Sequence, residues 1–166
     1  MATSQQHHEL CNAAGKWLRR SAVYFEDEDY FRGPRKVSCG VVLTELVTSI
    51  AETPDAIGWF CGGRYSILVE AKVSRSDFLA DRRKRFRKRP ELGVGQWRYY
   101  LAPVGMLSVD ELPEKWGLLV SDGRRIAIAK VAMRQPQYHT ENEKWMLWSF
   151  ARRVQARKEQ VALPVQ

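Results

Sequence analysis

Two short apolar runs lie near the middle of the chain, and their spacing predicts a pair of adjacent strands. The first run is Ala56–Phe60, and the second, residues 65–72, stays apolar until it ends in two opposite charges. The four residues between them, 61–64, include two consecutive glycines, which is typical of a tight turn. The pattern therefore predicts a β-hairpin over residues 56–72.

The charged end of this hairpin is the main candidate for chemistry. Successive side chains of a strand point to opposite faces, so Glu70 and Lys72 project from one face while Val69 can be buried on the other. Asp55 precedes the first run, and folding of the hairpin brings its carboxylate near that of Glu70. Two carboxylates and an ammonium group suit a divalent cation and a phosphodiester. Oxygen ligands bind Mg²⁺, while a lysine orients a water molecule or stabilises phosphate charge.

The rest of the pattern predicts an α/β domain with a mixed central sheet and helices on both sides. Apolar residues have helical spacing in three long segments: residues 5–20, the residues after Ser74, and residues 141–160. Ser74 is a candidate N-cap, and Asp77 either serves the same cap or orients Lys72. Further strands are predicted at residues 41–48, 96–103, 116–120 and 125–131. For the first of these segments, a helix is an alternative.

Two apolar sets are expected to face the core of the domain. In the helix after Ser74, Phe78 and Leu79 are the candidates for the inner face. In the C-terminal helix, packing in the core is a simpler interpretation of the aromatic residues than base stacking. The candidate core residues there are Trp145, Met146, Trp148 and Phe150.

Composition changes the picture mainly through charge. With 166 residues, 45% of them hydrophobic, the chain is expected to form one globular domain. Its net charge of +8 favours a polyanionic partner, although a merely soluble basic protein has the same balance. No apolar stretch has the length of a transmembrane helix, and the first residues lack the features of a secretory signal. Three widely spaced cysteines form no pair typical of a zinc site or a disulfide scaffold. We expect a cytoplasmic protein that does not bind a membrane.

The motif residues resemble a known nuclease superfamily. Pro54-Asp55 followed by Glu70-Ala71-Lys72 is similar to the PD-(D/E)xK pattern. The segment Ser74-Arg75-Ser76-Asp77-Phe78, with Asp81 a turn later, most resembles the MmcB-like branch, which is associated with DNA repair. The resemblance covers about residues 41–132. It implies a restriction-endonuclease-like core in a single nuclease-like domain over residues 1–166, with an N-terminal helix at 1–20 and a C-terminal helix at 140–160.

The resemblance also implies a function and a cofactor. The chain would be a metal-dependent nuclease that hydrolyses phosphodiester bonds in DNA, in repair or processing. Mg²⁺ would be its cofactor, and Mn²⁺ could substitute. Asp55 and Glu70 would bind the metal, with the main-chain carbonyl of Ala71 as a further candidate ligand. Lys72 would act on the attacking water or on phosphate charge.

Three further residues are candidates near this site. Glu45 lies among valines and leucines, where a charge is costly to bury without a partner, and the family often has an acidic metal ligand on this element. Gln96 opens the spacing Gln-x-x-x-Tyr, which resembles an element near the site in some branches, so it is a candidate catalytic residue. Glu9 is on the predicted first helix, where related nucleases sometimes have an acidic site residue, but a solvated glutamate is the simpler interpretation.

A basic run follows the candidate site. Residues 81–90 contain seven basic side chains among ten, which predicts a surface that contacts phosphate groups. A targeting signal and a solvated loop are the alternatives. DNA is expected as the partner in preference to RNA, and a homodimer or a protein partner stays open. The candidate nucleic-acid-binding residues are Arg75, Arg82, Arg83, Lys84, Arg85, Arg87, Lys88 and Arg89.

Two other functions remain open from the sequence. A catalytically inactive or partner-dependent nucleic-acid-binding module would keep the nuclease fold. In a basic RNA- or ribosome-associated protein, Glu70 and Lys72 would form an ordinary ion pair. The presence of Asp55 together with these two residues favours an active nuclease, because a different residue at any of the three would argue for a dead enzyme.

Overall fold

A six-stranded mixed sheet with helices on both faces organises the chain in the computed structural model, which describes residues 2–25, 33–45 and 52–162. The α/β class predicted from the sequence is thus confirmed. In chain order the elements are α1 (Ala2–Arg20), β1 (Ala22–Tyr24), β2 (Arg35–Val37), β3 (Val41–Thr44), β4 (Ala56–Phe60), β5 (Tyr65–Ala71), α2 (Arg75–Asp81), α3 (Arg85–Lys88), β6 (Trp97–Pro103), β7 (Gly117–Ser121), β8 (Ile126–Lys130) and α4 (Thr140–Ala162).

The main sheet follows the chain order from β3 to β8. Strands β3, β4 and β5 are antiparallel neighbours, β5, β6 and β7 run parallel, and β8 returns antiparallel to β7. Both glycines of the β4–β5 turn, Gly62 and Gly63, have positive φ angles, which glycine adopts without strain. The predicted hairpin is therefore confirmed. A separate pair, β1 and β2, was not predicted, because each strand has only three residues.

Each face of the sheet is covered by its own apolar cluster. On one face, α1 packs Leu10, Ala14 and Leu18 against residues such as Val69 and Tyr99. These helix residues are four positions apart, so they form one stripe along α1. The opposite face carries a second cluster, in which Phe78 of α2 and Met146 of α4 pack with Ile57, Leu68 and Tyr100.

A close approach between β6 and β7 requires a glycine. Tyr99 pairs with Gly117 across the two parallel strands, and the Tyr99 ring covers the glycine. A Cβ atom at position 117 would lie only 2.3 Å from that ring. Gly117 therefore allows the aromatic layer under α1 to pack against β7.

The segment after Lys72 is helical but shorter than predicted. Ser74 caps α2 as predicted, and its Oγ accepts a hydrogen bond of 3.2 Å from the N–H of Asp77. Helix α2 ends at Asp81, Lys84 is extended, and α3 adds only four residues. The expectation of a long helix was wrong, because the extended backbone of Lys84, with a ψ of 145°, separates α2 from α3. The Lys84 ammonium pairs with Asp81, with 2.8 Å between Nζ and Oδ1. Leu79 was expected to face inward, but it is exposed.

Helix α4 presents most of its aromatic residues to solvent. Met146 is fully buried as predicted, but Trp145 is 56% and Trp148 50% exposed, and Phe150 is also exposed. Trp145 and Trp148 pack edge-to-face on each other, with 5.0 Å between ring centroids. The expectation that all four residues lie in the core was wrong, since only one stripe of a helix can face a sheet.

Among the helices of the described segments, none is both long enough and apolar enough to cross a membrane.

Candidate active site

The β4–β5 hairpin brings Asp55 and Glu70 to the same end of the sheet. Ala56 pairs with Val69, so Asp55 and Glu70 occupy the next positions on the two strands. Asp55 Oδ2 accepts a hydrogen bond of 2.8 Å from the main-chain N–H of Ala71. Burial raises the pKa of Glu70, and the nearby charge of Asp55 raises it further. The two carboxylates are therefore close enough to interact electrostatically.

Glu70 and Lys72 project from the same side of β5, and both side chains are only 4% exposed. Lys72 Nζ lies 3.5 Å from Glu70 Oε2, 3.5 Å from Asp81 Oδ1 and 3.8 Å from Asp77 Oδ1. Burial alone would lower the pKa of Lys72, but these carboxylates outweigh burial and the pKa is raised. Lys72 is therefore a cation at neutral pH, suited to stabilise negative charge and unsuited to act as a base.

Arg87 joins this group from α3, although it was expected to contact phosphate groups at the surface. Its Nη2 lies 2.9 Å from Glu70 Oε1, and its Nε donates to Asp81 Oδ2 at 2.8 Å. Its Nη1 contacts the Glu52 carboxylate. The aromatic ring of Trp116 stacks over the guanidinium at 4.8 Å. We refer to Glu52, Glu70, Lys72, Asp81 and Arg87 as the buried charge cluster, since none of the five is more than 7% exposed.

The buried charge cluster contains three carboxylates and two cations. Within it, the pKa values of Glu70 and Asp81 are shifted in opposite directions. Burial raises the pKa of Glu70 to about 8, and Arg87 and Lys72 offset this only in part. Burial would also raise the pKa of Asp81, but Arg87 and Lys72 outweigh it and hold that pKa well below its usual value. The phenol of Tyr100 donates a further hydrogen bond of 2.8 Å to Asp81 Oδ2. Asp81 is thus the permanent anion of the cluster, and Glu70 the carboxylate whose charge can change.

The predicted phosphate-contacting residues fall into three groups. The prediction that Arg87 contacts phosphate groups is wrong, because its guanidinium is buried against three carboxylates. Three others are exposed but have acidic partners: Arg75 pairs with Glu111, Lys84 with the buried Asp81, and Arg89 with Glu91. The exposed remainder is Arg82, Arg83, Arg85 and Lys88.

Gln96 is not brought to the candidate site. Its Oε1 accepts a hydrogen bond of 3.1 Å from the N–H of Ser66, at the start of β5. Ser66 is four residues before Glu70, which is about 13 Å along a strand. Register explains the misplacement, because β5 and β6 are parallel and Glu70 pairs with Tyr100. Tyr100 therefore occupies the position next to the site.

Glu45 lies at the edge of the site rather than in the strand interior. Strand β3 ends at Thr44, Glu45 adopts a φ of 48°, and residues 46–48 of the predicted strand lie outside the described residues. The main-chain N–H of Glu45 donates to the carbonyl of Asp55 at 3.0 Å. Its half-exposed carboxylate lies 2.7 Å from His8 Nδ1 on α1. Glu45 is thus beside Asp55 in the main chain, with its side chain paired to α1.

Helix α1 contributes two residues that the sequence analysis missed. His7 Nε2 lies 3.4 Å from Asp55 Oδ1, and the buried thiol of Cys11 lies 3.6–3.8 Å from the His7 ring nitrogens. Glu9, by contrast, accepts a hydrogen bond from Gln5 on the exposed side of the helix. The i,i+4 spacing of His7 and Cys11 was the available signal, because it places both side chains on one helical face.

Comparisons with known proteins establish the fold alone. No protein-family model matches the chain, and no curated protein matches it with significance. A solved structure of a protein of unknown function from Silicibacter pomeroyi is similar, with a TM-score of 0.53 and 23% sequence identity. The similarity covers 75% of this chain and 84% of that one. This chain is therefore similar in fold to a protein whose own function is open.

Proposed function

We propose that this chain is a metal-dependent nuclease that hydrolyses phosphodiester bonds in DNA and has a restriction-endonuclease-like core. One observation carries the proposal: Asp55, Glu70 and Lys72 meet at the end of one hairpin. Asp55 accepts the N–H of Ala71, the residue between the other two, and Lys72 Nζ lies 3.5 Å from Glu70. Two carboxylates and an ammonium group at one end of the sheet are the groups that the proposed hydrolysis would use.

The donor set fits a hard divalent cation such as Mg²⁺ or Mn²⁺. Asp55 and Glu70 offer carboxylate oxygens, which these ions prefer. Glu70 Oε1 is buried without a hydrogen bond of good geometry, although Arg87 Nη2 lies 2.9 Å away, so a cation would compete with Arg87 for this oxygen. When bound, the cation would acidify a water molecule and offset charge on the phosphate. We assign Asp55 and Glu70 to bind it.

Lys72 supplies the fixed positive charge in this proposal. Its ammonium is positioned by Asp81 on one side and Asp77 on the other. Because the raised pKa keeps it protonated, Lys72 stabilises the charge that develops on the phosphate oxygens in the transition state. Asp81 acts as a positioning residue, since its own carboxylate is held by Arg87 and Tyr100.

A basic surface next to the site supports DNA as the partner. Arg82, Arg83, Arg85 and Lys88 are exposed on the same α2–α3 segment that contributes Asp81 and Arg87 to the site. Positive charge at this position attracts a polyanion and releases its counterions. A phosphodiester drawn to this segment arrives close to Lys72.

A second candidate function is favoured by a different observation, the closure of the site. Glu70 and Lys72 are each 4% exposed, and Arg87 already neutralises the Glu70 carboxylate. A phosphate could contact Lys72 only if the α2–α3 segment moved. A chain in which it does not move would be a nucleic-acid-binding module without cleavage activity.

Cleavage assays distinguish the two candidates. Purified protein is incubated with end-labelled single- and double-stranded DNA in Mg²⁺, in Mn²⁺ and in a chelator. We expect cleavage only with metal, loss of cleavage in Lys72→Met with binding nearly intact, and loss of both metal binding and cleavage in Asp55→Asn. Lys144→Met is the matched control, because it removes an exposed lysine of α4 that belongs neither to the site nor to the basic α2–α3 segment.

Two outcomes would reject the nuclease proposal. A parent protein that binds DNA but cleaves it in neither metal supports the binding module. Cleavage that persists in Lys72→Met assigns the activity to another site or to a contaminant.

A further inference from the structure

A second donor set lies next to the candidate nuclease site, on the side of α1. It consists of an imidazole, a thiol and a carboxylate: His7, Cys11 and Asp55. One ligand atom from each lies within 4.8 Å of the other two. Across the described part of the chain, no other group of three such residues meets this criterion.

The distances match those between the ligands of one tetrahedral ion. Zinc–ligand bonds of about 2.0–2.3 Å imply edges of about 3.4 Å between nitrogen and oxygen and about 3.5 Å between nitrogen and sulfur. In the structure, His7 Nε2 lies 3.4 Å from Asp55 Oδ1 and 3.8 Å from Cys11 Sγ. The third edge, between the ligand atoms of Cys11 and Asp55, is at most 4.8 Å, so the largest adjustment that a tetrahedral centre requires is on that edge.

The elements that carry these residues are rigid and the orientation of Asp55 is already set. His7 and Cys11 are one helical turn apart in the 19-residue α1, which packs on the sheet. Asp55 Oδ2 is held by the N–H of Ala71, which leaves Oδ1 directed to His7. Only the donor atoms need to adjust, so little ordering entropy opposes binding.

We propose that His7, Cys11 and Asp55 form a binding site for a borderline divalent cation, of which Zn²⁺ is the best fit. Thiolate and imidazole ligands favour zinc, whereas Mg²⁺ requires oxygen ligands and discriminates against this set. Binding displaces the Cys11 proton to solvent, because the thiolate is the ligand. Three protein ligands leave a fourth position for water, the arrangement of an open zinc site.

The local charge also favours a cation at this position. Burial raises the pKa of the Cys11 thiol, and the carboxylates of Asp55, Glu45 and Glu70 raise it further, to about 12, so a bound cation must offset both effects to hold the thiolate. Within the described residues, Lys72 is the basic group that acts on the thiol most strongly. Its single positive charge is smaller than the combined negative charge of the three carboxylates. A divalent ion would offset this excess of negative charge.

Cobalt titration tests the site directly, because Co²⁺ bound to a thiolate absorbs in the near ultraviolet. The full-length protein is stripped with a chelator and titrated with Co²⁺, and Zn²⁺ is then added. We expect a charge-transfer band that saturates at one equivalent, disappears on addition of Zn²⁺ and persists in a large excess of Mg²⁺. The band should be lost in Cys11→Ser and strongly weakened in His7→Gln.

Two neighbouring residues provide matched controls. His8→Gln removes the adjacent histidine, which pairs with Glu45, and Cys61→Ser removes the exposed cysteine. Both variants should keep the band. Because Cys11 is buried, circular dichroism and urea unfolding check that Cys11→Ser folds, and the partly exposed His7 gives an independent variant.

Three results would overturn the zinc proposal. The first is the absence of the band in the parent protein, and the second is a band retained in folded Cys11→Ser. The third is a loss of the band in His8→Gln as large as in His7→Gln, which would indicate unspecific chelation by adjacent histidines. The proposal shares Asp55 with the proposed nuclease site but is tested separately from it. Glu70→Gln should remove Mg²⁺-dependent cleavage while keeping the cobalt band, so failure of one proposal does not decide the other.

Discussion

The guanidinium of Arg87 lies 2.9 Å from the Glu70 carboxylate, measured from Nη2 to Oε1, in an almost fully buried environment. Arg87 thus neutralises a carboxylate that the proposed nuclease would use to bind a divalent cation. Because Arg87 also contacts Glu52 and Asp81, it couples three carboxylates from separate parts of the chain. We therefore expect the same residue to affect stability and, under the proposed function, metal binding and access to Lys72.

Removal of Arg87 is expected to destabilise the fold strongly. Arg87→Met keeps the length of the side chain but leaves Glu52, Glu70 and Asp81 with fewer partners. Breaking a buried ion pair in this way costs about 3–5 kcal/mol. Urea unfolding of the variant measures the loss. Arg85→Met, two positions earlier and exposed, is the control and should change stability by no more than about 0.5 kcal/mol. Similar stability of the two variants would contradict a structural role for Arg87.

The pH dependence of stability should report the titration of Glu70. Burial raises its pKa from 4.5 to about 8 in the folded protein, so the folded state binds this proton more tightly than the unfolded state. The corresponding stabilisation is complete below pH 4.5 and is lost as the pH rises towards 8. Glu70→Gln mimics the protonated carboxyl and should flatten this slope. Unfolding free energies measured across the window check it, and parallel curves for parent and variant would refute the assignment.

Mg²⁺ should stabilise the protein if Asp55 and Glu70 bind it. A ligand that binds the folded state at 100 times its dissociation constant adds about 2.7 kcal/mol to the free energy of unfolding. We expect the thermal midpoint to rise with Mg²⁺ or Mn²⁺ in the parent protein and to stay constant in Asp55→Asn. Glu141→Gln serves as the control, because that exposed carboxylate of α4 belongs to an ion pair with Lys144. An equal rise in all three proteins would indicate unspecific binding.

The sequence predicted the hairpin and the position of Asp55 beside Glu70 because both depend on neighbouring residues. Period-2 patterning, the Gly62-Gly63 turn and the position of Asp55 suffice to bring it near Glu70. Gln96 is a residue that such local reasoning misplaced. Its misplacement by four residues follows from the parallel register of β5 and β6, and no local pattern encodes a register between strands separated by two helices.

The charge pattern had a similar limit. Seven basic residues in a run are equivalent in sequence, but the end of α2 at Asp81 turns Arg87 inward while Arg85 faces solvent. A polar residue with a buried partner distant in sequence cannot be distinguished from a solvated one until the partner is known. His7 and Cys11 were missed for the same reason, because Asp55, their common neighbour, is more than 40 residues away.

The exposed part of the basic run should carry most of the affinity for DNA. Arg82, Arg83, Arg85 and Lys88 are exposed, and each phosphate contact that is lost should reduce the slope of log affinity against log salt by about 0.9 for duplex DNA and about 0.7 for single strands. Replacing all four with alanine should reduce the slope by about two to three, because residues on two short helices cannot all face one strand.

Fluorescence anisotropy across a range of salt concentrations measures that slope. Arg124→Ala combined with Arg125→Ala is the control for net charge, since these exposed arginines belong to the β7–β8 turn and line a cavity with residues of α1. The control should shift the affinity slightly and keep the parental slope. A quadruple variant with the parental slope would show that the run is a solvated or targeting segment. The basic residues of α1 and α4 would then be the better candidates for contact with DNA, and the proximity of the run to Lys72 would no longer support the nuclease proposal.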